Sequence, residues 1–188
     1  MGKENARQEG MKKSMAKEIL SWVITIAAAV VIAMLLKNFV IINANVPSGS
    51  MENTIMTGDR LFGFRLAYRK DDPKRGDIII FKYPDDETEN YIKRIIGLPG
   101  ETIVISEAKV YIDGSADPLE EDYLKEEWTV RTGPYTFEVP ENCYFVMGDN
   151  RNNSEDARVW ENPYVGRDKI LGKAEFRYYP IGTAGFIK

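Results

Sequence analysis

The sequence predicts a mainly β protein: an antiparallel sheet or barrel-like outer domain carried on one N-terminal transmembrane helix. Three observations lead there. Residues 19–36 run without a charge. From about residue 43 onward, short stretches rich in Ile, Val, Phe and Tyr alternate with turn residues. Basic residues crowd the N-terminal flank of the apolar run and are almost absent from its other flank.

The helix comes first in the chain. Its uncharged stretch is extended by the apolar residues 39–42 beyond Lys37. At about 1.5 Å per residue, a helix over 19–42 spans a bilayer core of roughly 30 Å. Lys37 then lies near the far interface and snorkels outward. A core helix of a soluble domain has no need to be apolar all round. A cleaved secretory signal has a shorter apolar region and a small-x-small cleavage site, which Ala44-Asn45-Val46 does not supply, so the segment reads as a retained anchor. Gly2 does not complete a myristoylation motif, because Ala6 stands where Ser or Thr is wanted. Lys3, Arg7, Lys12, Lys13 and Lys17 precede the span, and Lys37 alone follows it closely. The positive-inside rule therefore places residues 1–18 in the cytoplasm and residues 43–188 outside, in a single-pass protein of the cytoplasmic membrane.

The outer domain is predicted to hold strands over 59–66, 77–83, 90–96, 102–105, 109–112, 135–139, 144–147 and 170–178. Each is apolar or aromatic and is bounded by Arg-Gly-Asp, Leu-Pro-Gly, Asp-Gly or Gly-Pro turns. Short strands of this kind build barrels or packed sheets. Residues 117–127 are strongly acidic and read as a solvated loop or short helix, without the spacing of a calcium loop. They fall within a stretch, about 106–141, that reads as a variable, cap-like insertion.

Composition excludes several chemistries. The net charge of −4 argues against a nucleic-acid partner. There is no histidine, so no Ser-His-Asp triad, Cys-His pair or ordinary His/Cys zinc site can form. No metal or cofactor is expected. The one cysteine, Cys143, cannot make an internal disulfide, and in the run Cys143-Tyr144-Phe145-Val146-Met147 it reads as a small buried hydrophobe.

Three segments stand out as chemistry. Val46-Pro47-Ser48-Gly49-Ser50-Met51 follows the span; taken alone, two serines flanking a glycine after a proline are most often a turn. In Tyr91-Ile92-Lys93-Arg94-Ile95, alternation puts Lys93 on the face of Tyr91 and Ile95, with Arg94 opposite. If that face is core, desolvation lowers the lysine pKa and makes its neutral amine accessible; if it is a solvated sheet face, Lys93 is an ordinary surface lysine. The third segment, Gly148-Asp149-Asn150-Arg151-Asn152-Asn153-Ser154-Glu155-Asp156-Ala157-Arg158, packs many polar groups directly after an apolar strand, where they need partners or form a functional loop.

Together with Arg75-Gly76-Asp77-Ile78-Ile79-Ile80-Phe81, these segments resemble the ordered boxes of bacterial type I signal peptidases. The resemblance runs from the anchor to Gly172-Lys173-Ala174, and Glu101 replaces an Asp of the family pattern. It implies a membrane-bound serine endopeptidase that removes N-terminal signal peptides from exported preproteins near the secretion translocon, in contact with membrane lipid. It implies Ser50 as nucleophile, Lys93 as general base, and Ser48 as an oxyanion donor beside the Ser50 N–H. It implies Ser154 as the group that hydrogen-bonds Lys93, and Arg94, Asp149, Asp156 and Arg158 as ion-paired supports. Asn152 and Ala157 depart from the family's Asp and Ser and carry no assigned role. A single anchor and compact outer domain look more like the Gram-positive form. Two alternatives stay open: a specialised processing peptidase of the same Ser-Lys chemistry, and an inactive membrane-tethered β binding module. Ser14-Met15-Ala16-Lys17 matches the Ser-x-x-Lys of penicillin-binding enzymes, but lies before the anchor without its partner motifs.

Overall fold

A computed structural model describes residues 2–187, with side chains described for residue 15 and residues 17–187. The side chains of Lys3, Arg7, Lys12, Lys13 and Ser14 lie outside the described residues. The chain divides into two units, Met1–Val40 and Ile41–Lys188.

The first unit is one α-helix, α1 (Gly2–Phe39). Within it, Lys17–Phe39 is long and apolar enough to cross a membrane, and none of it is buried. Ile24, Ile32 and Leu35 are each more than half exposed. Such a stripe-free apolar helix is suited to lipid on every side.

The helix ends before the expected boundary at residue 42. Val40 N–H makes a last helical bond to the Leu36 carbonyl, and Ile41–Asn45 is strand β1. The physical reason is the β-branched run Val40-Ile41-Ile42, which favours extended backbone, together with the burial of Ile42 in the domain core. Apolarity continued past Lys37, but its period changed.

The second unit is built of antiparallel strands. After β1 come β2 (Arg60–Phe64), β3 (Ile78–Tyr83), β4 (Asp86–Gly97), β5 (Thr102–Ser106), β6 (Lys109–Ile112), β7 (Tyr135–Glu138), β8 (Cys143–Met147), β9 (Tyr164–Gly166), β10 (Ile170–Tyr179) and β11 (Gly185–Phe186). The larger sheet runs β1-β2-β10-β3-β4-β8-β9, with β11 on β10; β6-β5-β7 form a smaller one. All eight expected strands are present, with ends shifted by a few residues. The strand predicted over 59–66 stops at Phe64 and passes into a 3-10 turn, Arg65–Tyr68. β4 begins earlier than expected because it forms a hairpin with β3 in which Tyr83 pairs with Asp86.

The larger sheet is covered on both faces near its centre. Ile79 and Phe81 of β3 join one apolar cluster with Ile95, Phe145 and Met147. Ile78 and Ile80 join another with Ile42, Met51, Ile55 and Leu61. This is why the 78–81 run shows no alternation: both of its faces are interior. Cys143 is half-buried at the margin of the first cluster, and burial, then the Asp168 charge, push its thiol pKa up, away from reactivity.

Candidate active site

The register of β4 places two basic side chains in the interior. Lys93 pairs with Ile79, and Arg94 pairs with Ile78 and, on the other side, with Met147 of β8. Alternation sends them to opposite faces, yet Lys93 is 4% and Arg94 5% exposed. The solvated-face reading of Lys93 therefore fails, and the core reading holds.

Ser50 reaches Lys93 from a separate turn. After β1, Val46 N–H bonds the Asp59 carbonyl and Gly58 N–H bonds the Val46 carbonyl, closing a loop whose Met51–Ile55 portion winds like one helical turn. Met51 and Ile55 are fully buried and anchor that turn. Ser50, itself 8% exposed, is brought against the amine: Lys93 Nζ lies 2.6 Å from Ser50 Oγ. Ser48 is exposed, and its Oγ stands 3.5 Å from Ser50 Oγ. Burial pulls the Lys93 pKa down from 10.5 to about 8, against the opposing pull of the Asp156 and Asp149 carboxylates. A neutral amine at hydrogen-bond distance from a serine hydroxyl can take its proton. Both groups line a cleft of about 860 Å³, with Ile42, Ala44, Tyr91 and Val130 among its walls.

The loop after β8 holds this pair in place through buried charge. Arg94 donates to both Asp149 oxygens, Nε to Oδ1 at 2.9 Å and Nη2 to Oδ2 at 2.7 Å. Thr54, from the Ser50 turn, donates to the same carboxylate at 2.5 Å. Arg158 holds Asp156 bidentately at 2.8 and 2.9 Å. Burial alone would raise the Asp156 pKa, but the Arg158 bonds and charge, with the Gly148 N–H, bring it below the ordinary value. Gly148 must be glycine: a Cβ there would run into Ser154 Oγ and the Ser50 carbonyl. Removing one partner of a buried pair strands the other. Arg94→Leu is accordingly expected to cost about 3–5 kcal/mol in denaturant unfolding, whereas Asp72→Ala, breaking the exposed pair with Arg167, costs under about 1 kcal/mol.

Comparison with known proteins gives this geometry its context. Residues 19–179 match the family described as "Signal peptidase, peptidase S26". The chain belongs to that family. It is 36% identical to "Probable signal peptidase I-2" of Synechocystis sp., over 98% of this chain and 85% of that protein. It is 39% identical to "Signal peptidase I" of Leptolyngbya laminosa, over 86% and 80%. It is 34% identical to "Signal peptidase I" of Bacillus amyloliquefaciens, over 93% and 96%.

For this signal peptidase family member, the structure departs from the expected site at Ser154. Its Oγ is buried and makes no hydrogen bond to Lys93, so the expected bond is not formed; it lies instead beside Asp156, whose carboxyl pKa it helps to lower. Lys93 Nζ is engaged by Ser50 instead, and Ser154 Oγ is turned toward Gly148, where the missing side chain leaves room. Glu101, in place of Asp, has reach enough to accept from Arg75 at 2.5 Å and from Leu98 N–H at 2.7 Å.

The sequence reading also missed a strap. Residues 121–131, which overlap the 117–127 stretch read as a solvated acidic run, cross the loops bearing Ser50 and Ser154. Glu121 is nearly buried and ion-paired with Arg151. Asn53 donates to the Tyr123 carbonyl, and Arg131 donates to the Ser154 carbonyl. Trp128 lies beneath the guanidinium groups of Arg151 and Arg158, at 4.9 and 5.2 Å. Asn152, given no role, is the clip: its Oδ1 accepts from the Thr129 and Val130 N–H groups while its Nδ2 donates to the Glu127 carbonyl. An Asp could accept but not donate, so the amide suits this chain's strap. The available signals were Tyr123 and Trp128, two aromatics in a charge-rich stretch. Ala157 is buried and packs in the main apolar cluster, where a serine hydroxyl would require a partner.

Proposed function

We propose that this chain is a membrane-anchored serine endopeptidase that removes signal peptides from exported preproteins, with Ser50 as nucleophile and Lys93 as general base. The observation that carries the reading is the 2.6 Å contact between Ser50 Oγ and a buried lysine amine, in a chain without histidine. Ser50 Oγ attacks the scissile carbonyl as its proton passes to Lys93. The tetrahedral oxyanion is held by the Ser50 N–H and the Ser48 hydroxyl. Lys93 then protonates the leaving amine, and a water, deprotonated by the now neutral Lys93, hydrolyses the acyl-enzyme. The apolar walls beside Ser50, Ile42 and Ala44 among them, fit the small residues, typically Ala, that the family's substrates carry at the first and third positions before the cut.

The apolar helix is the anchor, with residues 1–18 in the cytoplasm and the β unit on the extracytoplasmic side, near the translocon and the lipid surface. The sparse basic residues after the span and the basic flank before it support that orientation. A signal peptide crosses the same bilayer, so a tethered protease meets its cleavage site at raised effective concentration.

The test uses the full chain in detergent with a preprotein, the product being read by mass spectrometry. One cut at the end of the signal peptide is expected. An intact preprotein in the presence of folded chain would favour a tethered binding domain instead. In wall-stripped cells, added protease is expected to digest the β unit and spare residues 1–18; a mature N-terminus near Ala44 or Val46 would mark the segment as a removed signal.

A further inference from the structure

The Gly49–Ser50 peptide group sits at the centre of the proposed chemistry, because its N–H is the main-chain donor of the oxyanion hole. A peptide group is planar, so whatever fixes its carbonyl also fixes the direction of its N–H. Asn150, 101 residues away in the chain, does this directly: its Nδ2 donates to the Gly49 carbonyl at 2.9 Å. Its main-chain N–H donates to the Ser50 carbonyl at 3.0 Å. One residue therefore grips both peptide planes that meet at the nucleophile's Cα.

Other bonds do not substitute for this grip. The Glu52 N–H also reaches the Gly49 carbonyl, at 3.2 Å, but it belongs to the same turn and moves with it. Asn150 follows β8, which is registered on β4 with Met147 opposite Arg94, next to Lys93. Its bonds thus lock the nucleophile's backbone to the strand that carries the base. Nor is Asn150 an amide satisfying itself in the core. It is 1% exposed, and its Oδ1 has no partner. A buried acceptor left unpaired is destabilising, and it accompanies the one orientation in which Nδ2 meets the Gly49 carbonyl.

We infer that Asn150 is a positioning residue for the reaction, holding and polarising the Gly49–Ser50 peptide so that the Ser50 N–H points at the developing oxyanion. This rests on the reading of Ser50 as nucleophile. A hydrogen bond accepted at one end of an amide strengthens donation at the other, so the benefit belongs to the transition state more than to bound substrate.

The experiment compares two ligands on the full chain in detergent. A peptide aldehyde reacts when Ser50 Oγ adds to its carbon, the C=O π bond opens onto oxygen, and the hydroxyl proton passes to Lys93; the resulting oxyanion occupies the hole. The same peptide ending in an alcohol binds without reacting. Asn150→Ala is expected to lower kcat about 10- to 100-fold, less than the 10²- to 10³-fold typical of deleting a donor outright. KM should stay within about threefold, since the lost interaction is made mainly in the transition state. Aldehyde affinity should fall with kcat, alcohol affinity should hold, and the acid limb of the pH profile should not move. Asn150→Asp, which turns an oxygen toward the Gly49 carbonyl, should fall at least as far. Wild-type kcat and aldehyde affinity in folded Asn150→Ala, or equal losses for aldehyde and alcohol, would overturn the inference. If Asn150→Ala does not fold, the same two affinities are read on Asn150→Ser. Cleavage surviving in Ser50→Ala would bring down the nucleophile assignment and this inference with it; the Asn150 outcomes bring down only the inference.

Discussion

Ser50→Ala is expected to abolish preprotein cleavage, while Ser48→Ala leaves a measurable remnant. The two serines are separated by one glycine and their hydroxyls by 3.5 Å, yet their surroundings differ. Ser50 is buried against Lys93; Ser48 is exposed and touches no base. Losing the nucleophile removes the covalent path altogether. Losing one oxyanion donor costs about 10²- to 10³-fold in rate, because the Ser50 N–H remains. Single-turnover acylation with each variant, checked for native circular dichroism, separates the roles. Equal residual rates in the two variants would mean that both act on the oxyanion, or that neither does.

The strands and the apolar helix were legible because each leaves a local pattern that survives in a single sequence. Eighteen uncharged residues and Val/Ile/Tyr-rich runs between glycines need no tertiary information to be read. What defeated the reading was a change of period inside an unbroken apolar run: residues 39–42 look like more helix until Ile42 is seen buried in a sheet. β9 and β11, of three and two residues, are too short for alternation to appear at all. At the site, Ser50 and Lys93 emerged from residue type, a missing histidine and a resemblance. No spacing rule could join residues 43 positions apart at 2.6 Å. Only the β3–β4 and β4–β8 registers and the Met51–Ile55 turn produce that contact. The strap was illegible for another reason. Charge in a sequence reads as solvation, whereas the Glu121 side chain is nearly buried because Arg151 meets it.

Lys93→Arg and Lys93→Met are both expected to be inactive, for different reasons that a pH series distinguishes from mere unfolding. A solvated lysine has a pKa of about 10.4 and is almost wholly protonated at pH 8. In the folded chain burial brings Lys93 to about 8, so near that pH a large fraction is neutral and can accept the Ser50 proton. The acid limb of kcat/KM reports groups of the free enzyme and is therefore expected near 8. Arginine keeps its charge at any useful pH; methionine has no proton acceptor of use. The same shift has a consequence for stability. Below about 8 both folded and unfolded chains carry the proton, and above 10.5 neither does. Between those values the unfolded lysine is charged and the folded one is not, so stability rises with pH at up to about 1.4 kcal/mol per unit. Lys93→Met lacks that slope. Denaturant unfolding of wild type and Lys93→Met across this window should show their difference in stability shrinking as pH rises, the mutant gaining most at low pH, where wild type must bury a charged amine. A difference that stays flat from pH 8 to 10.5 would mean that Lys93 titrates like a solvated lysine, and with it would go the argument that this amine is a base.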